Sequence, residues 1–257
     1  MILVAEDNVT NQNVIRRQLN LLGYAAEMTD DGKQALEAVK SKNYAVLLTD
    51  CHMPEMDGFD LTKEIRKIEQ EGDVRLPIIA ITASVLAAEI DRCYEAGMDD
   101  SLAKPLEMPK LKAALRKWMP AFESADVVEK LQEVPDPDTA GKVVSSNGEG
   151  PIDPSALKDV FGDDEDTFRE ILQDFVEPAQ IIISGIEDAY EAKSAAGVGA
   201  AAHKLKSSSR AVGANALADL CAELEGAGKS DDWDAIEARI PHLNGLIQAA
   251  IEYIKAL

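Results

Sequence analysis

Short apolar runs alternate with amphipathic stretches from Ile2 to about Met119, the pattern of strand and helix units that feed a parallel sheet. The spacing predicts strands over residues 2–5, 25–28, 44–49, 78–81 and 101–103. Helical patterns lie near 11–22, 32–41, 58–71, 87–96 and 106–118. Five such units predict an α/β fold: a small, doubly wound, five-stranded parallel sheet. Residues 121–150 differ in character, because Pro135, Pro137, Gly141, Gly148 and Gly150 interrupt a polar, acidic stretch. Beyond Pro151 strand signals nearly vanish. Apolar residues recur there at helical spacing near 154–161, 165–192, 195–212, 215–225 and 231–256, so the second half is expected to be an all-α helical bundle. Pro178 and Pro241 fall inside two of these patterns and mark either new helix starts or kinks. The expected domains are residues 1–120, a flexible acidic linker over 121–150, and a bundle over 151–257.

Composition narrows the function classes. A chain of 257 residues with 46% hydrophobic residues can fill two cores, and 26 Lys plus Arg against 47 Asp plus Glu give a net charge of -21. Such a surface repels nucleic acid and anionic membrane, so neither is an expected partner. No 18-residue apolar run and no charged-then-apolar leader is visible, which predicts a cytoplasmic chain without a membrane segment. Met1 opens directly onto the first core strand, which suggests a fragment of a longer protein. Cys51, Cys93 and Cys221 are odd in number and form no CxxC pair, so they are expected to be buried thiols.

The polar residues of the first half gather at one topological place. Glu6 and Asp7 end the first strand, Asp50 the third and Thr82 the fourth, and Lys104 follows the fifth. Doubly wound sheets bind ligands at these carboxyl ends. Three carboxylates brought together repel one another unless a cation joins them, so the cluster predicts a hard divalent metal, naturally Mg²⁺. With such an ion to neutralise phosphoryl oxygens, Asp50 becomes a candidate nucleophile for in-line phosphoryl transfer.

The strings ILVAEDN, LLTDCHMPEMDG, IIAITAS and LAKP stand in the order and spacing of response-regulator receiver domains, and this resemblance covers about residues 1–119. It implies a flavodoxin-like fold with Asp50 as phosphoacceptor, Glu6 and Asp7 as the acidic pair, Thr82 as the hydroxyl that meets the phosphoryl group, and Lys104 as the active-site cation. His52 takes the position whose backbone carbonyl completes the metal shell. One departure is Ser101, where receivers that switch an output usually carry Tyr or Phe. Its presence suggests that this domain passes phosphate onward.

In the second half, about 100° per residue places Val198, Ala201, Ala202, Leu205, Ser209 and Val212 on one helix face, with His203, Lys206, Ser207 and Arg210 on the other. An imidazole away from the apolar face is an accessible nucleophile. Lys206 one turn away would stabilise added negative charge, and the small Ser207 would let a partner approach. His242, without such companions, reads as structural. The string HKLKSSSRAVGA resembles the signature of histidine-containing phosphotransfer (HPt) domains, with His203 at the phosphorylated position and Ser207 where that family usually has Gly.

Together the two resemblances imply a phosphorelay like the C-terminal end of an unorthodox hybrid sensor histidine kinase. An upstream sensor kinase domain would supply Asp50, Asp50 would supply His203, and His203 would supply a downstream response regulator receiver. The parent would be a protein-histidine kinase, compatible with an inner-membrane sensor. No glycine-rich nucleotide loop is visible, so this portion is not expected to use ATP itself. A flexible linker of about thirty residues spans roughly 30 Å, enough for receiver–HPt contact within one chain. The rival readings are a non-catalytic docking scaffold and a haloacid-dehalogenase-like phosphatase. The latter needs a second acid two residues after its nucleophile, where this chain has His52.

Overall fold

The computed structural model describes residues 1–69, 75–83, 87–119, 150–155, 157–158 and 165–257. Strands β1 (Ile2–Ala5), β2 (Ala26–Thr29), β3 (Val46–Asp50), β4 (Ile78–Thr82) and β5 (Asp100–Ala103) form a single sheet in the order β2-β1-β3-β4-β5, parallel throughout. Helices α1 (Val9–Leu21), α2 (Gly32–Ser41), α3 (Gly58–Glu69), α4 (Ala87–Ala96) and α5 (Met108–Trp118) lie between and after them. The strands β1, β3 and β4 are buried at every position, which is why their sequences are continuous apolar runs with little alternation. One face packs Leu3, Leu47 and Ile78 against Phe59, Leu61 and Ile65, and the other packs Val4, Leu48 and Ile79 against Ile15, Leu19 and Leu111.

The strand order places a topological switch between β1 and β3, whose following chains diverge and open a crevice at the carboxyl edge. Element ends differ from the sequence expectation by a residue or two. Helix α1 starts at Val9, earlier than the apolar pattern suggests, because the Asn8 side chain accepts the Asn11 backbone N–H at 3.2 Å and caps it. Strand β2 is displaced by one residue, with Thr29 opposite Ala5. Gly58 is required where α3 begins: a Cβ there would stand 2.2 Å from the Asp50 carbonyl oxygen. The expected linker, apart from Gly150, lies outside the described residues, as do 156 and 159–161 of the expected helix at 154–161.

The second half contains α6 (Glu165–Glu191), α7 (Ala195–Ala211), α8 (Asn215–Ser230) and α9 (Trp233–Ala256), with no strand among its described residues. Phe175, Ile186, Val198, Leu205, Leu217, Leu224 and Ile247 lie in their common core. Pro178 and Pro241 lie inside continuous helices α6 and α9, so neither opens a new helix. Helix α8 extends five residues past the expected end at 225, through Gly226 and Gly228. At Gly228 the backbones of α7 and α8 come close, since a Cβ on it would meet Gly199 Cα at 2.6 Å.

The two halves are packed together. Val14 of α1 joins the apolar cluster of the bundle. Arg17 pairs with Glu170 at 3.0 Å and stands 3.7 Å from Asp174, while Asn13 donates to Asp174 at 3.3 Å.

Candidate functional site

Three carboxylates converge at the carboxyl edge of the sheet. Glu6 and Asp7 follow the last residue of β1 and Asp50 is the last residue of β3, and one oxygen from each lies within 4.8 Å of the others. Lys104, just after β5, reaches Glu6 Oε2 at 2.7 Å and Asp50 Oδ2 at 2.6 Å. Its own position is fixed by a backbone hydrogen bond from its N–H to the Thr82 carbonyl at 2.8 Å. Glu6 is completely buried; Asn11 Nδ2 donates to its Oε1 at 2.9 Å, and Gln12 donates to its carbonyl at 2.6 Å.

The electrostatics follow from burial and repulsion. Burial pushes the Glu6 carboxyl up to about 7; Lys104 opposes that rise and the Asp50 charge adds to it. Burial alone would lower the Lys104 ammonium, but Asp50 and Glu6 outweigh it and raise it. Lys104 serves Glu6 and Asp50 and leaves Asp7 to other partners. Asp7 Oδ2 is buried without a directed hydrogen bond, although Lys204 Nζ lies 2.6 Å away. A set of hard oxygen donors that includes an unsatisfied carboxylate oxygen suits a small divalent cation.

Two further expected residues border the cluster. The Thr82 hydroxyl, at the end of β4, donates to Glu89 Oε1 of α4 at 2.9 Å. The His52 backbone N–H donates to Asp50 Oδ1 at 3.1 Å, and its ring nitrogen Nε2 lies 3.2 Å from Glu89 Oε1. The three cysteines are buried, as expected of core thiols. Cys51 and Cys93 nonetheless meet, with sulfurs 3.7 Å apart, well beyond a disulfide length of about 2.05 Å. Burial raises both thiols, so neither is poised as a thiolate.

His203 lies on α7 beside His52, two residues after Asp50. Its ring meets the His52 ring edge-on, with centroids 5.7 Å apart. Around it, Asn8 Nδ2 donates to the Lys204 carbonyl at 3.3 Å and Asn11 Nδ2 donates to Ser207 Oγ at 3.0 Å. The expectation of a freely open imidazole is therefore corrected. The side chain keeps 21% of its exposure, and Ser207 is buried. Helical periodicity separates the bundle's own core face from its outer face, but it cannot register that another domain covers the outer one. On the core face Val198, Ala202, Leu205, Ser209 and Val212 are fully buried, while Ala201 is half-buried against the same core.

His203 Nδ1 is 2.9 Å from Glu225 Oε1 of α8. The same carboxylate pairs with Lys206 and Lys229. Burial alone would raise Glu225, but the hydrogen bonds from His203, Lys206 and Lys229 hold it well below the usual carboxylate range. An ionised carboxylate only accepts, so in the neutral ring Nδ1 carries the hydrogen and the Nε2 lone pair is left for chemistry. Lys206 was expected to stabilise incoming negative charge; its ammonium is committed to Glu225. Sequence reading missed Glu225, Lys204, Asn8, Asn11 and Glu89. Asn8 and Asn11 stand in the string ILVAEDNVTNQN and could have been flagged, whereas Glu225 comes from a different helix with no local signal.

Comparison with known proteins places each half in a family. Residues 2–116 match the family model of the response regulator receiver domain, and residues 170–256 match that of the Hpt domain. The hybrid signal transduction protein dokA of Dictyostelium discoideum is 45% identical over 125 residues, covering 49% of this chain and 7% of that protein. The sensor protein EvgS of Escherichia coli (strain K12) is 44% identical over 114 residues, covering 44% of this chain and 9% of that protein. The virulence sensor protein BvgS of Bordetella parapertussis is 26% identical over 259 residues, covering 100% of this chain and 20% of that protein. This chain thus spans a small part of each. Among solved structures, the receiver domain of the sensor histidine kinase PA1611 from Pseudomonas aeruginosa, crystallised with magnesium in its active-site cleft, is 43% identical. It covers 46% of this chain and 94% of that one, with a TM-score of 0.42. The two family matches, taken in chain order, identify this chain as a response regulator receiver domain followed by an Hpt domain.

Proposed function

We propose that the chain carries the Asp50 and His203 steps of a phosphorelay in which a phosphoryl group passes from a kinase phosphohistidine to Asp50, from Asp50 to His203, and from His203 to an aspartate of a separate response regulator. The single observation that carries this reading is the approach of His203 to the Asp50 cluster, through the 5.7 Å ring contact with His52 two residues beyond Asp50. In the first step an Asp50 oxygen bonds to phosphorus as the donor's P–N bond breaks. In the second, the Nε2 lone pair of His203 bonds to phosphorus as the P–O bond to Asp50 breaks, returning the carboxylate. No proton need move, because Nδ1 keeps its hydrogen toward Glu225 and the ring's new positive charge faces that anion. Lys104 balances the charge on Asp50 and Glu6, and Thr82 borders the approach to Asp50.

Glu6, Asp7 and Asp50, with the His52 carbonyl, are the proposed holders of Mg²⁺. When bound, that ion would neutralise phosphoryl oxygens during transfer. Catalysis otherwise reduces to alignment, which the Asn8, Asn11 and Arg17 contacts provide. The face of α7 around His203 is covered by the chain's own receiver, so delivery to a separate regulator requires the domains to part. None of the described helices is long and apolar enough to cross a membrane. A cytoplasmic setting beside an upstream kinase domain fits that role.

The test is to charge the chain with a labelled phosphodonor kinase and compare base-stable with acid-stable label. Asp50→Asn is expected to lose both. His203→Gln is expected to keep only the base-labile aspartyl label. A docking scaffold without chemistry would leave every variant, and the unaltered chain, unlabelled.

A further inference from the structure

We propose that Lys204 competes with the divalent cation for Asp7, so that docking of the Hpt domain and metal binding by the receiver oppose one another. This rests on the reading that Glu6, Asp7 and Asp50 hold such an ion. Lys104 compensates Glu6 and Asp50. The third carboxylate, Asp7, meets a cation from the other domain, the Lys204 ammonium at 2.6 Å from its Oδ2. That oxygen is buried and has no directed hydrogen bond, so the ammonium compensates its charge without satisfying its lone pairs. Among the described residues, these three acids therefore share two ammoniums, one from the receiver and one from the bundle.

Lys204 is also fixed in the interface. Its carbonyl accepts from Asn8 Nδ2 at 3.3 Å, and its neighbours in sequence are His203 and Leu205, the latter fully buried in the bundle core. Its side chain, 39% exposed, can swing into solvent while its backbone stays docked. A divalent ion on Asp7 would sit within a few ångströms of the ammonium, where like charges repel even at the dielectric of water. Both cannot hold Asp7 fully. Linkage then requires that each weaken the other by the same factor. Lys204 would thus hold the domains together when the metal is absent and be displaced as it binds, beside the histidine that receives the phosphoryl group.

The test is calorimetric titration of MgCl₂ into the full chain, into Lys204→Gln and into Lys204→Arg. Lys204→Gln is expected to bind Mg²⁺ about two- to fivefold more tightly than the unaltered chain, the scale of an ion pair of this exposure. Lys204→Arg should stay near the unaltered chain. The difference should persist in about 0.3 M KCl, where the fields of distant charges are largely screened. Equal affinity in all three proteins overturns the competition and leaves the metal reading standing, as does a difference that vanishes with salt. No Mg²⁺ binding by any of them overturns both.

Discussion

Glu225 lends itself to a sharp test because so much converges on it. Its carboxylate, 6% exposed, accepts from His203 Nδ1 and pairs with Lys206 and Lys229. Hydrogen bonds to a charged partner contribute about 1.5–3 kcal/mol, roughly twice a neutral one. Replacing Glu225 with Gln keeps the shape but removes the charge, so about half of that, near 1–1.5 kcal/mol, is lost where the phosphorylated ring becomes positive. At about 1.36 kcal/mol per decade, transfer from Asp50 to His203 should slow about tenfold. Gln can also turn its NH₂ toward Nδ1, which moves the ring hydrogen to Nε2 and adds to the loss. Glu225→Ala removes the whole bond and should slow transfer by about thirty- to a hundredfold. Rapid-quench measurement of label moving from Asp50 to His203 reads this directly, with urea unfolding to check that each variant folds. A folded Glu225→Gln variant within twofold of the unaltered rate would refute the assigned role.

Other consequences follow from the same contacts. Arg17→Glu reverses the pairing with Glu170 and Asp174 and should weaken docking by about 1 kcal/mol, seen as a roughly fivefold loss in intramolecular transfer at low salt that fades at high salt. Gly228→Ala forces a Cβ against Gly199 Cα and should destabilise the bundle by about 1–3 kcal/mol in urea unfolding, without changing the phosphorylation of Asp50. Because the folded-state carboxyl of Glu225 is held below its ordinary value, its contribution to stability is present above the unfolded value and is lost as pH falls through the lowered one. The stability gap between the unaltered chain and Glu225→Gln should accordingly narrow as pH drops below about 4.5.

Much of this was legible in the sequence, for reasons that mark where such reading stops. The strands β1, β3 and β4 are buried on both faces, so their apolar runs announce themselves, and Asp50 and Thr82 sit at their ends. Strand β2, mostly half-buried, carries a weaker pattern and begins one residue later than that pattern predicts. The core side of helix α7 is legible in the sequence, because that face is fixed by the bundle's own packing. Its outer face is not readable this way, since Ser207 meets Asn11, 196 positions earlier, and His203 meets His52 of the same first half. Pattern within a segment carries no information about such a partner. The same holds for Glu225, whose charge has meaning only once α7 and α8 are set side by side, and for Lys204, whose partner Asp7 belongs to the other domain.

The central claim is that His203 is presented to the Asp50 of its own chain. It is tested most directly by loading Asp50 with labelled phosphate and following single-turnover appearance of label on His203 over a wide range of protein concentrations. Transfer within the docked chain predicts one rate at every dilution. A rate that falls in proportion to concentration would contradict it.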